Sequence, residues 1–119
     1  MTGDELFLRH MLDALARVET YTAVGQAEFM VTPHWQDAVM RQLEIVGEAT
    51  KRLSDTLRTA HPDIPWRRIA GLRDVLIHDY MTVDIEAVWA VTQGDAPLLR
   101  QGLLAILESG ELIRDSQAP

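Results

Sequence analysis

Apolar residues recur through the middle third of this chain at alternating steps of four and three, and this seam constrains the fold more than any other feature. Its positions are Val39, Leu43, Val46, Thr50, Leu53 and Leu57. Only a helix brings residues at these spacings onto one face, so the seam predicts a single long helix from Pro33 to about Ala60. A heptad-like seam of this length needs a long neighbouring helix to cover it.

Gly47 lies inside this predicted helix, where glycine is about 1 kcal/mol less favourable than alanine. Either another backbone passes too close for a side chain, or the cost is tolerated. Of the two, we expect the close approach of another backbone.

A second apolar stripe predicts a first helix over roughly residues 4–23. Its members are Leu8, Met11, Leu12, Leu15 and Val18. Gly25 follows this helix, and Thr32 with Pro33 then has the form of an N-cap followed by proline at the first helical position. The long second helix is therefore expected to begin at Pro33.

Three more helices are predicted towards the end of the sequence. The third covers about residues 65–79, a short fourth covers about residues 84–93 with Asp84 as its N-cap, and the last covers about residues 95–108. Asp95 is the expected N-cap of the last helix. No strand pattern or repeat interrupts these segments, so the fold class predicted is all-α, an antiparallel helical bundle of four main helices plus a short helix.

Length and composition predict the organisation and the compartment. We expect one domain over residues 1–119, with a polar tail from about residue 109. The sequence has no cysteine, which excludes disulfides and thiolate metal sites and permits a reducing compartment. Charged residues interrupt residues 1–20, and no apolar stretch is long enough for a membrane span. A cytoplasmic protein without a membrane anchor is therefore expected.

The charge of the chain is distributed unevenly. The net charge of −7 argues against a protein that grips nucleic acid through a general positive field. Residues 51–80 nevertheless hold six basic and four acidic side chains, whereas the segments before and after them are acidic. This basic segment is either a local phosphate-facing patch or an ordinary solvated helix face, and the charges alone leave both interpretations open.

Histidines are the candidates for chemistry, because the sequence has no Gly-rich phosphate loop, no HExxH and no nucleophile elbow. His10, His34 and His61 lie on different predicted elements and are expected to be surface or helix-end residues. His78 differs because Arg73, Asp74 and Tyr80 lie within a few residues of it. No metal site and no cofactor are expected.

On a continuous helix Asp74 and His78 would be neighbours one turn apart, so the carboxylate could orient the imidazole as a proton carrier. Arg73 could bind phosphate oxygens through its guanidinium. Arg73 and His78 would then stand roughly 140° apart around the helix. Either their long side chains converge over a groove or a second copy of the chain completes the site, which would predict a homodimer. Ordinary helix-surface pairs are the alternative interpretation of this cluster.

Longer strings around this cluster resemble the HepT-like members of the HEPN superfamily, and the similarity spans nearly the whole chain. The strings are Leu43-Glu44-Ile45-Val46-Gly47-Glu48-Ala49, Pro62-Asp63-Ile64-Pro65-Trp66-Arg67-Arg68-Ile69-Ala70-Gly71-Leu72-Arg73-Asp74, His78-Asp79-Tyr80 and Val83-Asp84-Ile85-Glu86-Ala87-Val88-Trp89. The resemblance implies a metal-independent endoribonuclease that is the toxin of a two-gene module. Its implied partners are an RNA substrate, with no DNA expected, and a minimal nucleotidyltransferase as the antitoxin.

The family motif Arg-x4-His-x-Tyr is complete in this sequence. The resemblance assigns catalysis to Arg73 and His78, with Asp74 at a position that is often Asn in the family. It also implies attack of an RNA 2′-hydroxyl on the adjacent phosphorus, with His78 moving protons and Arg73 stabilising the phosphorane. Tyr80 corresponds to the tyrosine that the partner adenylylates, and a bulky anionic nucleotide there would block a phosphate-binding cleft.

Two functions of other classes stay open at this point. One is a non-catalytic HEPN module that binds a nucleotide or a partner protein, which the net charge of −7 and the carboxylate of Asp74 favour. The other is a plain dimerisation scaffold, in which Arg73 and His78 would be dispensable.

Overall fold

A computed structural model describes residues 3–77 and 82–109, and these are almost entirely helical. The helices are α1 (Gly3–Thr22), α2 (Gln26–Val31), α3 (Pro33–Lys51), α4 (Asp55–Ala60), α5 (Trp66–Ala70), α6 (Leu72–Leu76), α7 (Ile85–Gln93) and α8 (Asp95–Glu108). The predicted all-α bundle is confirmed, although with more helical segments than expected. Within the described ranges, no helix combines the length and the apolar character that a membrane span requires. The predicted polar tail lies almost wholly outside the described residues.

The core lies between α1 and α3, with α5, α7 and α8 packed around this pair. Each of these two helices buries the stripe that its spacing predicts, except that Leu12 of α1 is only half-buried. The buried residues are Leu8, Met11, Ala14, Leu15 and Val18 on α1 and Val39, Met40, Leu43, Val46 and Thr50 on α3. Thr50 is accommodated because its hydroxyl donates to the Val46 carbonyl at 2.8 Å. The seam therefore has the long helical neighbour that it requires.

The short helix α2 was not predicted, because six residues are too few to show a clear period. Gly25 precedes it with a φ of 92°, a conformation that L side chains rarely adopt. This turn directs the completely buried Phe29 into the core, where its ring packs 5.2 Å from that of Trp89. Helix α2 therefore closes the end of the bundle where α7 lies.

The predicted single helix from Pro33 to Ala60 is wrong, because α3 ends at Lys51 and α4 starts at Asp55. Ser54 is the N-cap of α4, and its hydroxyl oxygen accepts from the Leu57 amide at 3.1 Å. Asp4 on α1 fixes this break, since its carboxylate accepts from the Ser54 amide at 2.8 Å and from the Ser54 hydroxyl at 2.6 Å. Leu53 and Leu57 stay buried, so the seam continues across a turn that the periodicity does not reveal.

The predicted helix over residues 65–79 is also wrong in its extent. Gly71 separates α5 from α6, and α6 ends at Leu76. Ile77 is extended, with φ −110° and ψ 110°, and forms an antiparallel bridge with Val83. The pairing ends the helix, because a residue held in a β-bridge has left the helical backbone conformation.

The predicted helix ends nearer the C-terminus are partly confirmed. Asp84 caps α7, and its carboxylate accepts from the Ala87 amide at 3.0 Å. Asp95 is not the N-cap of α8, because Gly94 takes that position and Asp95 is the first helical residue. Its carboxylate instead accepts from Arg68 Nε at 2.9 Å, which links α8 to α5.

Helix α3 begins at Pro33 as predicted, with Thr32 as its N-cap residue. The Thr32 side chain makes no capping hydrogen bond, and its hydroxyl donates to Glu28 Oε1 at 2.9 Å. The Gln36 side chain from the first turn of α3 donates to the Phe29 carbonyl at 3.0 Å. Side-chain hydrogen bonds therefore join α2 and α3 at this corner.

Gly47 lies where α3 meets α5. The expected close approach of another backbone to this glycine is confirmed. A Cβ at this position would lie 3.2 Å from the carbonyl oxygen of Ile69 and 3.5 Å from that of Ala70. Backbone atoms within a helix cannot rotate aside as a side chain can. The two helices can therefore approach to this distance only because residue 47 has no side chain.

We expect Gly47→Val to lower the free energy of unfolding by about 1–3 kcal/mol, because the branched side chain would force α5 away from α3. A urea titration monitored by circular dichroism measures this loss. The matched control is Ala16→Val, which adds the same branch at an exposed position of α1 and is expected to cost about 0.5 kcal/mol through helix propensity alone. Equal losses in the two variants would contradict a special role of the Gly47 contact.

Candidate active site

Helix α6 presents the first predicted site residues. Leu72 and Leu76 are buried and fasten this short helix to the core. The three residues between them, Arg73, Asp74 and Val75, are exposed on the outer side. The Ile77 amide donates to the Arg73 carbonyl at 3.0 Å and closes the last turn. The backbone that carries Arg73 is therefore held by buried leucines, while its guanidinium remains accessible to solvent.

Arg73 and Asp74 line a groove of about 440 Å³. Its walls come from the outer side of α1, from the second half of α3 with the residue that follows it, and from the junction of α5 and α6. The lining residues are Phe7, His10, Arg41, Leu43, Glu44, Ile45, Gly47, Glu48, Ala49, Lys51, Arg52, Ala70, Gly71, Arg73 and Asp74. The close approach at Gly47 forms the floor, so the same contact that packs α5 on α3 also shapes the groove.

Basic side chains outnumber acidic ones in this groove, four to three, on a chain whose net charge is −7. Two of the four are paired on the surface of α3: Arg41 lies 3.9 Å from Glu44, and Lys51 lies 3.2 Å from Glu48. These pairs are exposed and contribute little to stability. Their positive charge is largely balanced by carboxylates of the same helix.

Arg52 and Arg73 are the other two basic residues of the groove, and neither forms an ion pair with any residue in the described ranges. The Arg52 guanidinium instead lies over the ring of Phe7, with its central carbon 5.9 Å from the ring centroid. Both arginines are exposed. The groove therefore offers two cations that an anion can approach without displacing a carboxylate.

His78 and Tyr80 lie outside the described residues. One prediction about His78 is nevertheless wrong in its premise, because α6 ends at Leu76 and Ile77 is extended. Asp74 and His78 are therefore not one turn apart on a continuous helix, and the angle of roughly 140° between Arg73 and His78 does not apply. The structure does place Arg73 and Asp74 together in the groove, on the helix that leads into this segment.

The chain on either side of this undescribed segment is held in place. Ile77 and Val83 form their antiparallel bridge, and the Asp84 amide donates to the Leu76 carbonyl at 2.8 Å. Asp84 also caps α7. Ile77 before the undescribed segment and Val83 after it are thus paired with each other directly beside α6.

The other histidines are surface or helix-end residues, as predicted. His34 is exposed in the first turn of α3, and His61 is the C-cap of α4, where its carbonyl accepts from Trp66 Nε1 at 3.0 Å. His10 is exposed on α1, and its ring meets the edge of Phe7 with centroids 6.1 Å apart. Its place in the groove was not predicted, because it follows from the packing of α1 on α3.

Arg52 and Lys51 were also not singled out from the sequence, although both belong to the basic segment over residues 51–80. The structure divides that segment. Lys51, Arg52 and Arg73 line the groove, whereas Arg58 is paired with Asp55 and Arg68 with Asp95. The local excess of basic residues was therefore a usable signal for a patch, but it could not say which of them share one surface.

Among the described residues, no three His, Asp or Glu side chains are grouped as a metal site would need.

Comparison with known proteins gives one family for the chain. The model of the family described as "Ribonuclease HepT-like" matches residues 11–106. This match contains the groove residues of α3 and both α5 and α6. No solved structure gives a significant match to the chain.

Curated relatives agree with this assignment. The "Probable ribonuclease HepT" of Thermococcus cleftensis is 37% identical over 79% of this chain and 86% of its own length. A "Putative RNase" of Caldanaerobacter subterraneus is 34% identical over 86% of this chain and 92% of its own length. A Methanocaldococcus jannaschii protein named "Gamma-glutamylcyclotransferase and putative RNase" is 37% identical over 87% of this chain, which spans about half of that protein, 47%. The family model and these relatives together show that the chain belongs to the HepT-like ribonuclease family.

Proposed function

We propose that this protein is an endoribonuclease that cleaves RNA in the groove between α1, α3 and α6, and that it acts as the toxin of a toxin–antitoxin pair in the cytoplasm. The observation that carries the proposal is Arg73, an exposed arginine without an ion pair in the described residues, in a groove that is net basic on an acidic protein. Membership of the HepT-like ribonuclease family supports RNA as the substrate.

The proposed reaction uses groups of the protein and of the RNA alone. The RNA 2′-hydroxyl attacks the adjacent phosphorus while His78 takes its proton, and the bond from phosphorus to the 5′-oxygen breaks as the protonated His78 gives that proton to the leaving oxygen. The products are a 2′,3′-cyclic phosphate and a 5′-hydroxyl. Arg73 stabilises the negative charge that builds on the phosphorane oxygens, because a guanidinium can donate two parallel hydrogen bonds to them.

Asp74 is proposed as a third residue of the site. It is exposed beside Arg73 and lines the same groove, so its negative charge acts on Arg73 and on any phosphate that binds there. A carboxylate in this position weakens phosphate binding through repulsion of like charges. Asp74 therefore limits how tightly the groove holds RNA before the reaction.

The antitoxin is proposed to be a minimal nucleotidyltransferase that adenylylates Tyr80. The adenylyl group would add a negative charge and a bulky base two residues after His78. The groove is net basic and about 440 Å³ in volume, so an adenylyl group that entered it would compete with RNA for the same cations.

A homodimer is proposed as the active form. Val75 is 44% exposed directly beside Arg73 and Asp74, and an apolar side chain exposed on the outer side of α6 suits a contact with a second copy of the same helix. A two-fold axis there would bring both copies of the site to one cleft. The helical angle between Arg73 and His78 gives no support to a dimer, since α6 ends at Leu76.

A non-catalytic module that binds a nucleotide or a partner protein is the second candidate function. Asp74 in the groove and the net charge of −7 favour it, because both disfavour a tightly bound polyanion. In such a module His78 would take no part in breaking a bond of the RNA. In the ribonuclease, removal of His78 abolishes cleavage without abolishing binding.

We expect Arg73→Ala and His78→Ala each to lower the rate of RNA cleavage by at least about 100-fold, since each removes stabilisation or proton transfer in the transition state. Gel analysis of labelled RNA with purified protein measures the rate. The control is Arg17→Ala, which removes an exposed arginine of α1 outside the groove and is expected to cleave normally. Cleavage of RNA and of its 2′-deoxy analogue at equal rates would contradict the mechanism, and a folded wild type that binds but never cleaves RNA would favour the binding module.

Tyr80→Phe is expected to remain an active ribonuclease that the nucleotidyltransferase can no longer silence by modification, because the acceptor hydroxyl is gone. The measurement is the intact mass of wild type and variant after incubation with the partner and ATP, followed by the RNA cleavage assay. Wild type should gain the mass of one or more adenylyl groups and lose activity. Inactivation of Tyr80→Phe to the same degree, with the same added mass, would contradict modification at this residue.

Val75→Glu is expected to shift the proposed dimer towards the monomer, because a carboxylate would be buried against a second copy of α6. Sedimentation equilibrium over a range of protein concentrations measures the change. The matched control is Leu98→Glu on α8, where the apolar side chain is 69% exposed and lies far along the chain from α6. A wild type that sediments as a monomer at every concentration would contradict the dimer itself.

A further inference from the structure

We infer that Arg52 is a second phosphate-binding residue of the groove, and that it holds a phosphate of the RNA that flanks the one beside Arg73. The inference rests on the proposed function in one respect, since it takes RNA as the molecule that enters the groove. It adds a binding residue at the C-terminal end of α3, 21 positions before Arg73 in the sequence.

The groove, about 440 Å³ in volume, presents an arginine at each of two walls. Arg73 stands on α6, whereas Arg52 directly follows α3 and faces α1 through Phe7. A polyanion that runs along the groove therefore meets one cation at each of two different walls.

Contacts of Arg52 itself and of the chain that follows it hold this residue in position before anything binds. Its backbone amide donates to the Ala49 carbonyl at 3.0 Å, so the residue is fixed as the C-cap of α3. Two residues later, Ser54 is held by both carboxylate oxygens of Asp4. The guanidinium itself lies over Phe7, which belongs to the turn of α1 that follows Asp4.

The contact with Phe7 orients Arg52 without neutralising it. An aromatic ring attracts a cation through its quadrupole but carries no net charge, so the full positive charge remains available to an anion. Lys51 is the neighbouring cation, and it is already paired with Glu48 at 3.2 Å. Arg52 can bind a phosphate through its planar group without separating an existing ion pair.

The test is RNA binding separated from cleavage. The probe is a fluorescein-labelled, mixed-sequence RNA of about 12 nucleotides with 2′-O-methyl groups, which can bind but cannot supply the attacking hydroxyl. Fluorescence anisotropy over a series of salt concentrations gives the affinity and the number of phosphate contacts. The proteins compared are wild type, Arg52→Ala and the matched control Arg17→Ala.

We expect Arg52→Ala to bind this probe about tenfold more weakly than wild type, with a salt slope smaller by about 0.7 because one phosphate contact is lost. Arg17→Ala removes the same charge outside the groove and should keep the wild-type slope. Equal affinities and slopes for Arg52→Ala and Arg17→Ala would overturn the inference. Circular dichroism and urea midpoints like those of wild type show that each variant is folded.

Phe7→Leu separates the position of the charge from the charge itself. It keeps an apolar side chain in the half-buried site but removes the aromatic ring beneath the guanidinium. We expect this variant to bind the probe more weakly than wild type while the salt slope stays near the wild-type value, since Arg52 is still present. Wild-type affinity in Phe7→Leu would overturn the part of the inference that assigns Phe7 a positioning role.

Cleavage of unmodified RNA by the same proteins distinguishes this inference from the proposed function. Probe binding that depends on Arg52, without cleavage by wild type, would support the second phosphate site and overturn the ribonuclease. Cleavage by wild type, with unchanged binding in Arg52→Ala, would overturn the second phosphate site and leave the ribonuclease in place.

Discussion

The absence of a side chain at Gly47 is the constraint on which the site depends. It lets the carbonyls of Ile69 and Ala70 come within van der Waals contact of α3, at a distance that even a single methyl group would strain. Gly71 follows these carbonyls directly and precedes α6, so the separation of α3 and α5 also sets where Arg73 emerges. One packing contact in the core therefore fixes the relation between the two main walls of the groove.

The two sides of the short helix α6 have different roles, since one side packs on the core and the other carries charged residues. Leu72 and Leu76 hold α6 on the core, and the charged residues between them face the solvent. The protein as a whole is acidic, and salt screens its distant charges over about 8 Å at physiological ionic strength. At the range of a hydrogen bond, a phosphate in the groove experiences Arg52 and Arg73 much more than the net charge of the chain. An acidic protein can therefore bind a polyanion at one defined place without attracting it over its whole surface.

Periodicity predicted which faces are buried, and it failed where a helix should end. The seam residues from Val39 to Leu57 are all buried, yet the helix that carries them breaks at Ser54, because Asp4 holds that residue from 50 positions away. The bridge of Ile77 with Val83 ended α6 in the same way. A partner that lies 50 positions away, or that the chain meets only after it turns back, does not change the local pattern of apolar residues.

The sequence predicted only some of the residues that line the groove. Arg73 and Asp74 were found through a short motif and a family resemblance, and the structure places both in one groove. Arg52, His10 and Phe7 reach that groove only because α1 packs along α3, so no spacing in the sequence connects them with Arg73. Tertiary packing decided these members of the site, and the excess of basic residues after position 50 pointed to Arg52 alone among them.

The hydrogen bonds between Asp4 and Ser54 also have a consequence for local opening. They join the first turn of α1 to the start of α4, and the contact of Phe7 with Arg52 lies immediately inside this link on both segments. Fraying of a helix end is normally a local event that needs little free energy. Here the end of α1 cannot fray without releasing α4 and the ring beneath Arg52, so these segments open and close as one cooperative unit. Protection of their amides from hydrogen exchange would then report on the shape of the groove.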